Sequence, residues 1–349
     1  MTLVVASPAR RVGFARSSLL FGGLVALLAI ALLIGVGAGR FAVAPGRVLA
    51  ILASGLADPL AMPETVEARI VLLVRLPRLL LAALVGAGLA TAGAALQGVF
   101  RNPLVAPQVL GISQGAAFGG ALAIVFGIWG APLLGMAFLA GLGALAIVGA
   151  VARIDGRTEI VTVILSGMIV GALFAALVSL LQFVADPNTS LPAIVYWLMG
   201  SFSSATWARL GLAAPALILG LVALWALRFR LNLLSLDEAE ARSLGVRVGA
   251  ERWAVFTVVA LIVGAQVAVS GIVGWIGLVV PHAARLIAGE DHRVLIPAAA
   301  LLGAAYLVIV DTIARTLTSA EIPLGVLTAL IGAPVFALLL RRHFRERVQ

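Results

Sequence analysis

The sequence offers few side chains able to do covalent chemistry, and their spacing excludes most reaction types. Three histidines, His282, His292 and His343, form no H-E-x-x-H or comparable ligand spacing. His282 ends the stretch Gly274-Trp-Ile-Gly-Leu-Val-Val-Pro-His282, where a ligand for haem iron could be sought. It is followed by Arg285 near the inner end of a predicted span, and a structural or coupling role fits it better. No G-x-S-x-G nucleophile elbow occurs. The chain has no Cys, which removes disulfides, thiolate metal sites and cysteine nucleophiles together. All 24 basic residues are Arg. The Lys of a G-x-x-x-x-G-K-[ST] phosphate loop is therefore missing, and the chain is not that kind of ATPase. No catalytic residue, metal ligand or cofactor follows from the sequence.

One carboxylate could serve an ion-coupled carrier. Asp311 lies within a predicted span, four residues before Arg315 and on the same helical face, so a local ion pair is expected in preference to a proton relay. A transporter without its own motor or ion site needs an external source of energy. An ion-driven carrier acting alone is the reading from another class.

The elements that must position these residues are membrane helices. Sixty-two per cent of the 349 residues are hydrophobic, 11% are charged and the mean hydropathy is +1.17. An ordinary soluble domain carries about 25% charged residues. The apolar runs do not alternate as barrel strands do. Spans are expected at 19–39, 76–99, 109–128, 131–152, 160–184, 208–227, 294–317 and 323–340. Residues 253–284 carry no charge and would be about 48 Å long as one helix, against a core of about 30 Å. Two helices turning near Gly271-Ile-Val-Gly274 give ten spans and place both Arg-rich ends (Arg10, Arg11 and Arg16; Arg341, Arg342, Arg345 and Arg347) in the cytoplasm, as the positive-inside rule requires. The net charge of +9 thus reflects orientation in a bilayer and not a nucleic-acid partner.

The predicted fold is all-α: a polytopic bundle with a cytoplasmic tail over 1–18, a ten-span domain over 19–341 and a second cytoplasmic tail over 342–349. The first apolar segment is long enough to be a retained span and not a cleaved signal. Ala82, Gly86, Ala90, Ala94 and Gly98 recur every fourth residue, as do Gly115, Gly119, Ala123 and Gly127. Such stripes let helix backbones approach closely, so both helices are expected inside the bundle.

A charged segment, residues 231–250, separates the sixth and seventh spans. Ser235 followed by Glu238 reads as a capping box, and Gly245 suits the left-handed residue that ends a helix. A short capped helix at the membrane surface is either a solvated connector or a rigid knob for a partner ATPase.

Asp237-Glu238-Ala239 with Gly245 resembles the coupling loop of bacterial ABC importer permeases. Three further stretches resemble one branch, the iron-siderophore, haem and cobalamin permeases: Arg75-Leu-Pro-Arg78 continuing to Gln97 and Asn102-Pro-Leu104; Gly274 to His282 with Asp291-His-Arg293; and Glu321-Ile-Pro-Leu-Gly325 with Gly332-Ala-Pro-Val-Phe336. The resemblance covers roughly residues 70–340.

It implies ten spans in two inverted halves of five, a homodimer with the pathway at its interface, two cytoplasmic ABC ATPase subunits and a periplasmic substrate-binding protein. It also implies an inner-membrane location. By motif position, Arg75, Arg78 and Arg315 would dock the binding protein; Asp237, Glu238, Ala239 and Gly245 would couple to the ATPase; Asn102, Pro103 and Leu104 would form the cytoplasmic gate. The cargo implied is a metal chelate, with ferric siderophore first and haem, cobalamin or molybdate as alternatives. A second gate segment around 159–162 does not match.

Overall fold

The computed structural model describes residues 14–58, 63–153, 159–318 and 320–348. The expectations placed on 1–13, and on the side chains of the C-terminal tail, lie outside the described residues. Helices are α1 (Phe14–Gly37), α2 (Pro45–Ala57), α3 (Val66–Arg69), α4 (Leu76–Val99), α5 (Ile112–Val125), α6 (Ala131–Val151), α7 (Ile160–Val184), α8 (Ser190–Leu198), α9 (Trp207–Leu234), α10 (Glu238–Ser243), α11 (Val248–Ser270), α12 (Ile276–Ala288), α13 (His292–Thr316) and α14 (Leu324–Val348). No strand occurs among the described residues.

Among the described residues, seven helices are long and apolar enough to cross a bilayer. Three shorter apolar helices, α5, α12 and the Leu324–Leu338 part of α14, occupy the other expected positions. At 14 and 13 residues, α5 and α12 reach only about 20 Å. The ten expected helices are therefore present, but they are not ten equal spans. The uncharged stretch breaks as expected: α11 ends at Ser270, and Gly271 takes φ +67°, which L side chains rarely adopt.

Two helices, α2 and α8, were not expected. The second span begins earlier than its apolar run: a continuous helix from Val66 to Val99 passes through a π-turn at Ile70–Arg75. Pro77 lacks an N–H and cannot close the ordinary ladder, so one widened turn ahead of it is the local solution.

Helix α4 forms the buried centre, packed against α13, α9, α12 and α11. Its small-residue stripe does what was expected. Gly86 meets the backbone of Gly303 on α13, Gly93 meets that of Gly277 on α12, and Ala82, Ala90 and Ala94 are fully buried. Gly115 and Gly119 of α5 likewise sit against Ala140, Ala144 and Met136 of α6. Gly127 departs from the pattern: it lies in the exposed turn after α5, at φ +67°. Large exposed apolar side chains such as Leu173, Phe183 and Leu219 suit an acyl-chain environment.

Candidate functional site

At one end of the bundle the predicted coupling residues form a compact unit. Asp237, not Ser235, caps α10: its carboxylate accepts from the Ala239 N–H at 3.4 Å. Ser235 is taken up in closing α9, which runs to Leu234, and its hydroxyl donates to the Asn232 carbonyl. Past the end of α10, the N–H of Gly245 bonds the Arg242 carbonyl and that of Val246 bonds Ala241, while Gly245 holds φ +78°. Val246 and Ala241 are both buried, completing a Schellman end with its apolar contact.

The segment after α4 ends in the same way with an unusual residue. The Arg101 N–H bonds the Gly98 carbonyl and the Asn102 N–H bonds Gln97, so Arg101 occupies the left-handed position at φ +53°. Asn102 then turns the chain by accepting from the Leu104 N–H at 2.9 Å, and residues 101–104 are exposed. The side chain of Arg101 reaches Asp237 at 2.9 Å. The predicted gate and coupling segments, distant in sequence, are thus in direct contact through a residue that motif reading passed over.

Arginines hold the rest of this end. Glu238 pairs with Arg252 at 3.0 Å and with Arg242 at 2.5 Å. Burial pushes the Glu238 carboxyl up, but the bond and charge of Arg252, helped by Arg242, bring it below the usual range. The hydrogen bond from Arg101 holds the Asp237 carboxyl down as well. Asp291 caps α13, accepts from Arg293 and takes a bond from the Asn232 amide at 2.7 Å; its carboxyl is lowered to about 2, first by the Arg293 hydrogen bond. Asn232 in turn accepts from the His292 N–H and meets that residue's Nδ1, both at 2.8 Å. His292 is buried and clasps the end of α9 to the start of α13. Arg285 of α12 donates to Gln97 Oε1 of α4 at 2.6 Å.

The three arginines expected to dock a binding protein gather at the other end, about 36 Å away along the 24 residues of α4. All three are nearly covered. Arg75 donates to the carbonyls of Val36, Gly37 and Phe41, closing the end of α1. Arg78 grips Asp311 through Nε and Nη2 at 2.8–3.0 Å, and holds Glu321 at 2.9 and 3.0 Å. Arg315 donates to the carbonyls of Gly35 and Ala38. The expected local pair between Asp311 and Arg315 is secondary, at 3.7 Å, because Arg78 takes both carboxylate oxygens. Asp311 is 0% exposed, so this pairing across 233 residues satisfies a charge that could not otherwise be buried.

Between the ends lies an open cleft of about 590 Å³ lined by Leu198, Met199, Ile272, Gly274, Trp275 and the first turns of α14. The loops beside it interlock: Leu324 and Gly325 donate to the carbonyls of Gly200 and Met199, and Ser201 donates to Ser270. Trp275 adopts φ +67° and packs on Gly332 of α14. A bulky residue in that region is held by its surroundings. No charged side chain lines this cleft.

The fold and site define a multi-span helical membrane protein with a charged, capped knob at one end. The chain belongs to the FecCD transport family, whose model matches residues 27–342. It is 45% identical over 321 residues to the molybdate import system permease MolB of Haemophilus influenzae, covering 91% of this chain and 94% of that one. It is 43% identical to the hemin transport permease HmuU of Yersinia pestis, covering 78% and 84%, and 42% identical to the cobalamin import permease BtuC of Halobacterium salinarum, covering 80% and 75%. An ABC transporter assigned to the metal-chelate type and solved in an inward-facing conformation superposes with a TM-score of 0.84 at 43% identity, over 93% of this chain and 99% of that one. The protein is therefore a multi-pass ABC importer permease and not itself an enzyme; hydrolysis belongs to a separate subunit.

Proposed function

We propose that this permease carries a molybdate-type metal oxyanion, as one of two copies forming the pathway, and that a cytoplasmic ATPase drives it through α10. The observation that carries the coupling role is the contact between Asp237 and Arg101. A push on α10 has a short path to the segment that ends α4, and through α4 to the bundle centre. With α10 on the cytoplasmic face, α1 starts and α14 ends on that same face, so both termini are cytoplasmic.

For the cargo, the support is the similarity to the molybdate permease over 91% of the chain, against 78–80% for the haem and cobalamin relatives. The uncharged cleft wall has no group that would hold an anion, which suits passage; a binding protein outside would supply selectivity. Ferric siderophore, placed first by family resemblance, is the second reading.

The test is uptake of labelled molybdate and of a labelled ferric siderophore by cells lacking this gene, with wild type or Gly245→Asp restored. A Cβ at Gly245 meets nothing within 4 Å, so the change strains the turn and adds surface charge without touching the core. Molybdate uptake restored by wild type but not by the variant is the expected result. Restored siderophore uptake would exchange the cargo, and equal uptake by both proteins would remove the coupling role.

A further inference from the structure

A groove of about 180 Å³ opens on the flank of the bundle, between the first turns of α6, the first turns of α9 and the last turns of α11. Its walls include Leu134, Gly135, Phe138, Leu212 and Ala216, and no charged residue lines it. An engineered apolar cavity of about 150 Å³ stays dry and accepts benzene, so this volume suits a stretch of hydrocarbon and not water. It lies at the bundle end opposite α10, since the indole N–H of Trp207, at the start of α9, donates to the Leu72 carbonyl just before α4.

The rim is cationic and aromatic. Arg209 precedes the groove residues Leu212, Ala213 and Ala216 by three, four and seven positions, which places it on the same face of α9, about one turn nearer the membrane surface. Arg209 is half-buried, contacts the Ser204 hydroxyl, and has no carboxylate partner among the described residues. Trp129 and Trp207, both exposed, flank the same end, as aromatic side chains do at the headgroup level. The N-terminus of α9 adds to the positive potential there.

We propose that this groove is a binding site for one acyl chain of an anionic phospholipid, whose phosphate pairs with Arg209. The apolar walls select hydrocarbon, the guanidinium without a carboxylate selects negative charge, and the distance of about one helical turn between them matches a headgroup joined to its chain. The lipid fills the gap between α6 and α9, each of which packs on α11.

Gly135→Leu tests the groove, because a Cβ there meets nothing within 4 Å and the longer side chain can extend into the space. Arg209→Gln tests the charge. Native mass spectrometry of the purified protein, exposed to equimolar phosphatidylglycerol and phosphatidylcholine, reads both. Wild type should retain phosphatidylglycerol several-fold over phosphatidylcholine. Arg209→Gln should lose that preference while still binding lipid, and Gly135→Leu should release most of the lipid of either kind. Unchanged retention in both variants, at wild-type melting temperature, would overturn the site. So would disulfide dimers of Gly135→Cys in the membrane, which would show a second copy in the groove.

Discussion

Both ends of this permease are built from arginines and carboxylates, yet they are different structures. At the end where α1 and α13 finish, the buried pair of Arg78 and Asp311, with a partly exposed Glu321, ties α4, α13 and the approach to α14 together. At the other end, Arg101 and Asp237 pair with side chains 38% and 71% exposed. Arg252, although covered, holds a Glu238 that is itself 39% exposed. A buried ion pair cannot open without leaving a charge uncompensated, so it fixes geometry. An exposed pair exchanges with water at little cost, so it can open and close during a cycle. One end is a clasp, and the other is a joint.

The clasp gives the largest expected effect. Asp311→Ala leaves Arg78 buried with Glu321 alone, and should destabilise the protein by about 3–5 kcal/mol. Thermal melting in detergent checks this. Glu321→Gln should cost much less, because that side chain is 31% exposed and water can replace part of what it supplied. If the two variants melt alike, the burial difference within the cluster does not govern its strength. The clasp also bears on docking. Arg78 already directs four of its five N–H groups to carboxylates, so a partner's carboxylate would have to displace Glu321 to reach it.

The other end should carry a dependence on pH. Asp291 is lowered from 3.8 to about 2 by its bonds from Arg293 and Asn232. The folded protein therefore releases that proton more readily than the unfolded chain. The associated stability is present above 3.8 and drains away as pH falls toward 2. Melting temperature followed down through that window should fall in the wild type. It should fall less steeply in Asp291→Asn, which keeps an N-cap but cannot titrate. Identical slopes would mean that Asp291 is not what links α9 to α13 in acid.

The joint was easier to read from sequence than the clasp. Gly245 advertises a left-handed turn, and Ser235 with Glu238 reads as a capping box, so α10 was legible to within a few residues. The capping residue was misplaced because Ser235 and Asp237 are both good caps, and what separates them is how far α9 continues. The span pattern and the small-residue stripes were legible because period and residue size are local properties. The partners of Asp311 were not. A local rule offers Arg315 four residues on, whereas Arg78 lies 233 residues away and is brought there by the packing of α4 on α13. Helix α5 was expected over 109–128 and is shorter, since apolar composition does not say where a buried helix stops.

The smallest effect on stability should come from the joint itself, and it is the sharpest test of the comparison. Arg101 sits where a helix end ordinarily has Gly, at φ +53°, which costs an L residue about 1–2 kcal/mol. Arg101→Gly removes that strain together with the exposed ion pair. Melting temperature should stay level or rise slightly, while on the proposed coupling role uptake driven by the ATPase should fall several-fold, because α10 loses its contact with the segment after α4. Asp237→Asn keeps the cap and removes the charge, so it should lower uptake to a similar level. The double variant should be no worse than either single one, because both break the same contact. If Arg101→Gly transports like the wild type, the strained residue is an accident of the turn, and the contact between Arg101 and Asp237 does not carry the proposed coupling.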